Sequence, residues 1–205
     1  MKTITSYSYR AILFFAIQCT TLSSCTTTHV TNKETSIVLS NQKSNVTTNQ
    51  RSKIMWVKNQ PIKFEDFIGT IPTNNKHAAH ITTHISFNLY DSAHYTLAAF
   101  MNCNYSWSKT KSPFVLKHEQ YHFNITELFA RNIRKKIIEN KMTMRGTEFL
   151  YFYSDQMNEF REFQAKYDSL TKHGLNKIVQ ATWELNIENG LTALEKYENH
   201  IIPRY

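Results

Sequence analysis

Two periodicities divide the chain. Between Ile81 and Tyr90 apolar and polar positions alternate: Ile81, Thr83, Ile85, Phe87 and Leu89 fall on one face, and Thr82, His84, Ser86, Asn88 and Tyr90 on the other. A period of two predicts a half-buried strand over 81–89. Asp91-Ser92-Ala93-His94 supplies a turn, and Leu97, Ala99, Met101, Cys103 and Tyr105 continue the alternation in a second strand from Tyr95 to Trp107. Upstream, Ile54–Lys58 and Ile62–Phe67 are short apolar patches near Pro61, suited to edge strands or turns.

Past Trp107 the period becomes 3.6. Ser112-Pro113 reads as an N-cap followed by proline at the first helical position, opening a helix to about Asn140. A second helix starts near Thr147-Glu148 and presents Phe149, Tyr153, Met157, Phe160, Gln164 and Tyr167 once per turn, with a stop at His173-Gly174. A third spans Asn176 to Asn189, with Gly190 as its stop. The pattern predicts an α+β fold, a small antiparallel sheet followed by three helices.

The first 53 residues follow neither period. Lys2 and Arg10 precede a short apolar stretch from Ala11 to Leu22, which suits a secretory leader and is too short to span a bilayer. Leu22-Ser23-Ser24-Cys25 resembles a lipobox, so Cys25 is the candidate lipidation site and 1–24 the lipoprotein signal peptide. Thr, Ser and Asn then make up 15 of the residues 26–53 and no aromatic occurs there. Such a stretch buries too little to offset its ordering entropy and reads as a flexible tether, leaving 54–205 as the folded domain. The chain has 24 Lys+Arg against 16 Asp+Glu, a formal charge of +8, which becomes +6 without the leader. Three cysteines exclude a disulfide framework, and Cys103 reads as a lone core thiol. Arg131, Arg134, Lys135, Lys136, Lys141 and Arg145 form a basic run expected on a solvated face, with attraction to anionic lipid as the alternative. Nucleic acid is not an expected partner of an exported chain.

The chemistry lies in the first helix, where His118-Glu119-Gln120-Tyr121-His122 forms an H-E-x-x-H motif. Helical residues four apart differ by about 40° in azimuth, so both imidazoles reach one metal ion, with Glu119 beside them as general base. Imidazole ligands suit Zn2+ and leave places for a third ligand and a water. Glu127 lies about 180° round the same helix and cannot join them. His173 is the preferred third ligand, with Asp168, Glu139 and Glu148 left open. Tyr167 is a candidate donor to the oxyanion.

The residues Leu116-x-His118-Glu119-Gln120-x-His122-Phe123, continued by Ile125-x-Glu127-x-x-Ala130-Arg131, resemble the bacterial family called domain of unknown function 922, described as predicted secreted zinc-dependent proteases. Trp56, Phe64-x-Asp66-Phe67-x-Gly69, Ser106-Trp107, Tyr167-Asp168-x-x-Thr171-x-His173-Gly174 and Gln180-x-x-Trp183 carry the resemblance along most of the domain. It implies a zincin-like fold with His118 and His122 as ligands and Glu119 as base, and it favours His173 as third ligand. Tyr121 and Asn124 depart from the family pattern of Gly and Asp.

The expectation is a zinc-dependent peptidase on a bacterial outer-membrane lipoprotein. It would face the periplasm, act on peptide or protein substrates, and touch the membrane through its lipid anchor. A substrate strand is expected along the edge of the sheet made by 81–105. The alternative is an envelope-binding lipoprotein without catalysis, zinc-stabilised or metal-free.

Overall fold

The computed structural model describes residues 52–205; the leader, Cys25 and the tether as far as Arg51 lie outside them. Along the chain come β1 (Lys53–Met55), β2 (Ala79–His80), β3 (Thr83–Leu89), β4 (His94–Asn102) and β5 (Trp107–Ser108). They are followed by α1 (Pro113–Glu139), α2 (Gly146–Thr171), α3 (Lys177–Ala193) and β6 (Ile201–Pro203). The fold is α+β, with a small antiparallel sheet and three helices.

Strand β4 is the spine of the sheet. It pairs with β3 from Tyr95↔Leu89 to Met101↔Thr83. Strand β1 pairs with it at 100–102 and β6 at 94–96, so these two lie end to end beside it. Leu97, Ala99 and Met101 on β4, Ile85 on β3 and Phe123, Ala130, Ile133 and Ile137 on α1 are almost fully buried and form one cluster. At about 1.5–3 kcal/mol for each large apolar side chain removed from water, this contact fixes α1 across the sheet. A second cluster of Tyr121, Ile125, Phe160, Tyr167 and Ile187 joins the three helices.

The structure departs from the sequence reading at several points, each with a local cause. The strand expected over 81–89 begins at Thr83. The amide of Ile81 is taken by Glu119 Oε2 at 2.9 Å and that of Thr82 by Ser106 Oγ at 2.9 Å. The second strand stops at Asn102, where a 3-10 turn over Cys103–Tyr105 redirects the chain and Ser106 Oγ donates to Asn102 O at 2.6 Å. Trp107–Ser108 then pairs with Ala79–His80 in a separate two-stranded sheet. Ser112 occupies the N-cap position of α1 without a capping side-chain bond, while Asn176 caps α3 by accepting from Val179 N.

Gly190 does not end α3, which continues to Ala193. A Cβ at Gly190 would stand 2.9 Å from Leu128 Cδ1, so the glycine marks a close approach of α3 to α1. The basic run is likewise not one solvated face. Arg131 and Arg134 are buried and both reach Glu127 Oε1, at 2.9 and 2.5 Å. Arg134 also donates to Tyr197 O and Leu97 O, tying α1 to the C-terminal segment and to β4. This pairing explains why Glu127 stays on the far side of α1 from the histidines. Cys103 is a buried free thiol, as expected. Among the described residues no helix is long and apolar enough to cross a membrane.

Candidate metal centre

Helix α1 carries His118, Glu119 and His122 over its second and third turns, where the sheet covers one side and α2 and α3 the other. His118 and Glu119 are buried, each with 5% of its surface exposed. The ring of Tyr167 stacks on His118, with centroids 4.8 Å apart and planes 16° from parallel, and meets His122 edge-on at 4.8 Å. Both imidazoles are thus fixed by an aromatic floor as well as by the helix.

Four donor atoms converge. Asp168 Oδ1 lies 3.0 Å from His118 Nε2, 3.0 Å from His122 Nε2 and 3.0 Å from His173 Nδ1. The two Nε2 atoms are 3.2 Å apart. Nitrogen and oxygen ligands about 2.0–2.1 Å from a tetrahedral zinc ion stand about 3.3–3.4 Å from one another; these four separations are slightly shorter, and the donors of His118, Asp168 and His173 all lie within 4.8 Å of one another.

The protons on the rings follow from two glutamines. Gln164 Nε2 donates to His122 O at 2.9 Å, which turns Gln164 Oε1 toward His122 Nδ1 at 2.6 Å. Gln180 Nε2 donates to Tyr167 Oη at 2.5 Å and to Glu184 Oε1 at 3.1 Å, which turns Gln180 Oε1 toward His118 Nδ1 at 3.1 Å. Each Nδ1 therefore donates its hydrogen, and in the neutral rings each Nε2 presents a lone pair. Two lone pairs and a carboxylate oxygen facing one point repel unless a cation, proton or metal, lies among them. The second ring nitrogen of a metal-binding histidine is held in the same way by an outer acceptor. The donor set fits zinc.

The charges agree with this picture. Burial alone would raise the Asp168 carboxyl, but hydrogen bonds from the two imidazoles, made when a proton and not a metal lies among these atoms, hold it far below the usual carboxylate range. Burial disfavours a charged His122, and the Asp168 carboxylate overcomes this and pushes the ring above its usual value. Glu119 is displaced upward by its burial, against the pull of His122 and His118. Its Oε2 accepts from Ile81 N at 2.9 Å, and Oε1 has no hydrogen-bond partner among the described residues.

His173 reaches the cluster through a strained turn. Lys172, His173 and Gly174 have φ of 51°, 53° and 80°, three successive left-handed residues after the end of α2. His173 N donates to Asp168 O at 2.9 Å, which keeps the ring beside the carboxylate. A Cβ on Gly174 would stand 3.1 Å from His118 Cβ, so glycine is required both for φ and for this approach. Left-handed non-glycine residues cost about 1 kcal/mol or more each, and such strain gathers at functional sites.

The cluster opens into a cleft of about 730 Å³. One wall is the backbone and side chains of residues 76–83, including His77 and His80, and the other is the face of α2 bearing Arg161, Gln164 and Asp168. Burial lowers the affinity of His80 for a proton, with His122 acting in the same direction. The cleft wall thus runs from the residues before β2 to Thr83 at the start of β3, and takes in only the first residues of the region 81–105 where the strands were expected.

The structure brings His118, Glu119, His122 and His173 together, and it includes Asp168, which the sequence left open beside His173. It does not bring in Glu139, whose carboxylate accepts from Tyr197 Oη at 2.7 Å, or Glu148, exposed in the first turn of α2. The expected role of Tyr167 as an oxyanion donor is corrected. Its side chain is fully buried under the histidines, its hydroxyl donates to His118 O at 3.3 Å, and it does not line the cleft, so it supports the imidazoles from below. Asn124 accepts from Trp56 Nε1 and Gln120 Nε2 and makes no hydrogen bond to the cluster among the described residues. His77 and His80 gave no signal as isolated polar residues, Gln164 stood out only as the polar member of the α2 stripe, and Gln180 only as part of a short patch. Gln164 and Asp168 lie one turn apart, part of a polar face on α2 that starts at Arg161.

No protein-family model, no curated protein and no solved structure matches the chain.

Proposed function

We propose that residues 54–205 form a zincin-like hydrolase domain, a zinc-dependent peptidase, in which His118, His122 and one of Asp168 and His173 would hold one zinc ion and leave its fourth position to a water. The observation that carries the reading is the meeting of three imidazole nitrogens at 3.0 Å from Asp168 Oδ1, with the outer nitrogens of His118 and His122 facing glutamine carbonyls. Zinc bound there would supply Lewis acidity and a water acidified toward neutrality.

The chain's own groups do the remaining work. Glu119, held by the Ile81 amide and raised by burial toward the working range of a base, offers Oε1 to take a proton from the attacking water. The same carboxyl then returns the proton to the leaving amine. Gln164, Gln180 and Tyr167 fix the two imidazoles, and the cleft between residues 76–83 and α2 receives an extended chain. Leu22-Ser23-Ser24-Cys25 supports acylation at Cys25, which would anchor the domain to the bacterial envelope on the periplasmic side of the outer membrane.

The second reading is a structural zinc site in a binding lipoprotein, favoured by the four protein donors, the number that structural sites use. Two features favour catalysis: an open cleft over the cluster, and an unsatisfied carboxylate oxygen beside it.

Glu119→Gln separates the two. In the catalytic reading the variant keeps its zinc and folds normally, while hydrolysis of a casein or fluorogenic peptide panel by the zinc-loaded protein falls by about 100-fold or more. Hydrolysis at a near-normal rate in Glu119→Gln would refute the base assignment.

A further inference from the structure

The charged groups along the cleft are arranged asymmetrically. Its two carboxylates are each engaged through one oxygen: Asp168 Oδ1 by three imidazoles and Glu119 Oε2 by the Ile81 amide. Its cations are not. Lys76, Arg161 and Lys172 all line the cleft and are exposed, and none has a carboxylate partner among the described residues; Arg161 donates only to the neutral Asn158. Lys76 stands on the β2 wall and the other two on the α2 wall.

The spacing on α2 places these charges on both sides of the cluster. Arg161, Gln164, Asp168 and Lys172 recur at helical spacing along one face of α2 and its cap, all of them lining the cleft. At about 1.5 Å of rise per residue, Arg161 lies about 10 Å from Asp168 in one direction and Lys172 about 6 Å in the other. An extended polypeptide advances about 3.3 Å per residue, so these distances correspond to about three and two residues on either side of the point above the metal centre.

We propose that the cleft selects acidic polypeptides, with Asp or Glu side chains flanking the bond at the centre and paired to Lys76, Arg161 and Lys172. This rests on the peptidase reading for the polymer it names and goes beyond it in naming the substrate class. A basic or neutral segment leaves the three cations unpaired and is disfavoured by like charge. The rest of the lining, with Val115, Phe160 and Leu175, accepts apolar side chains between the charges.

The test measures binding, not turnover. Zinc-loaded full chain carrying Glu119→Gln is titrated against fluorescein-labelled alanine decapeptides bearing Glu, Ser or Lys at matched positions, read by fluorescence anisotropy. Three exposed ion pairs predict that the Glu peptide binds about ten-fold or more tighter than the Lys peptide at low salt, with the gap narrowing at high salt. Reversal of all three cations (Lys76→Glu, Arg161→Glu, Lys172→Glu), at exposed positions that leave the core intact, should abolish or invert that order. Equal binding of the peptides overturns the proposal, as does an order unchanged by the reversal. Displacement of the Glu peptide by polyphosphate at equal charge concentration overturns it too, because the cleft would then read charge density and not polypeptide. If the order holds while the wild-type protein leaves the peptide uncut, the recognition stands and the peptidase reading fails.

Discussion

Two glutamines decide the state of the site residue by residue. His118 and His122 could each carry a hydrogen on either nitrogen, and the amides of Gln180 and Gln164 settle the matter by spending their own hydrogens elsewhere. Gln180→Leu removes the acceptor from His118 Nδ1 and leaves that ring free to change tautomer. The expected outcome is a 10–100-fold loss of zinc affinity, measured by competition with a chromophoric chelator. Gln180→Glu, which still accepts from Nδ1, should recover part of it. Unchanged affinity in Gln180→Leu would show that the ring is held by Tyr167 alone. The H-E-x-x-H spacing was legible because a helix converts it directly into one face. Gln164 and Gln180 were not, because they act across 42 and 62 residues of sequence and nothing local marks an acceptor for a distant ring. His173 and Asp168 fall between: both are candidates from the sequence, and only the left-handed turn brings the His173 ring to the Asp168 oxygen.

Helix packing explains where element boundaries were readable and where they were not. The 3.6 period gave α1 and α2 to within a residue or two, since a long apolar stripe has to be buried. The end of α3 was misplaced because Gly190 looks the same in sequence whether it terminates a helix or admits a neighbour. In the fold it admits Leu128, and α1 and α3 approach closely there. Gly190→Ala should therefore destabilise the protein by about 1 kcal/mol or more in urea unfolding, as the added methyl meets Leu128 Cδ1. In a Leu128→Ala background the same change should stabilise by about 0.5–1 kcal/mol, the ordinary gain of alanine over glycine in a helix. An identical effect in both backgrounds would remove the packing explanation. The basic run misled for a related reason. Arg131 and Arg134 face Glu127 along α1, and a burial pattern read from residue type treats arginine as solvated. Breaking such a buried set by removing one partner is costly, so these arginines hold α1 in place more than they charge a surface.

The whole molecule brings two separated parts of the chain to one point. Helix α1 is held on the sheet by the core and by Arg134, while Asp168 and His173 come from the far end of α2 and the turn beyond it. The alternating and helical patterns predicted this layering, but they did not predict the small β2–β5 sheet that forms the other cleft wall. Pairs of two residues carry no period to detect. A metal ion at the cluster would join α1 to α2 and stabilise the native state by mass action, since the unfolded chain has no preformed site. Zinc content of the purified protein tests the account most directly, determined by inductively coupled plasma mass spectrometry after loading and dialysis, beside His118→Ala. The account predicts about one zinc per chain in the wild type and loss of it in the variant. Absence of zinc from the correctly folded wild type, even after refolding in excess metal, would contradict it and leave the four convergent donors as a proton-sharing cluster.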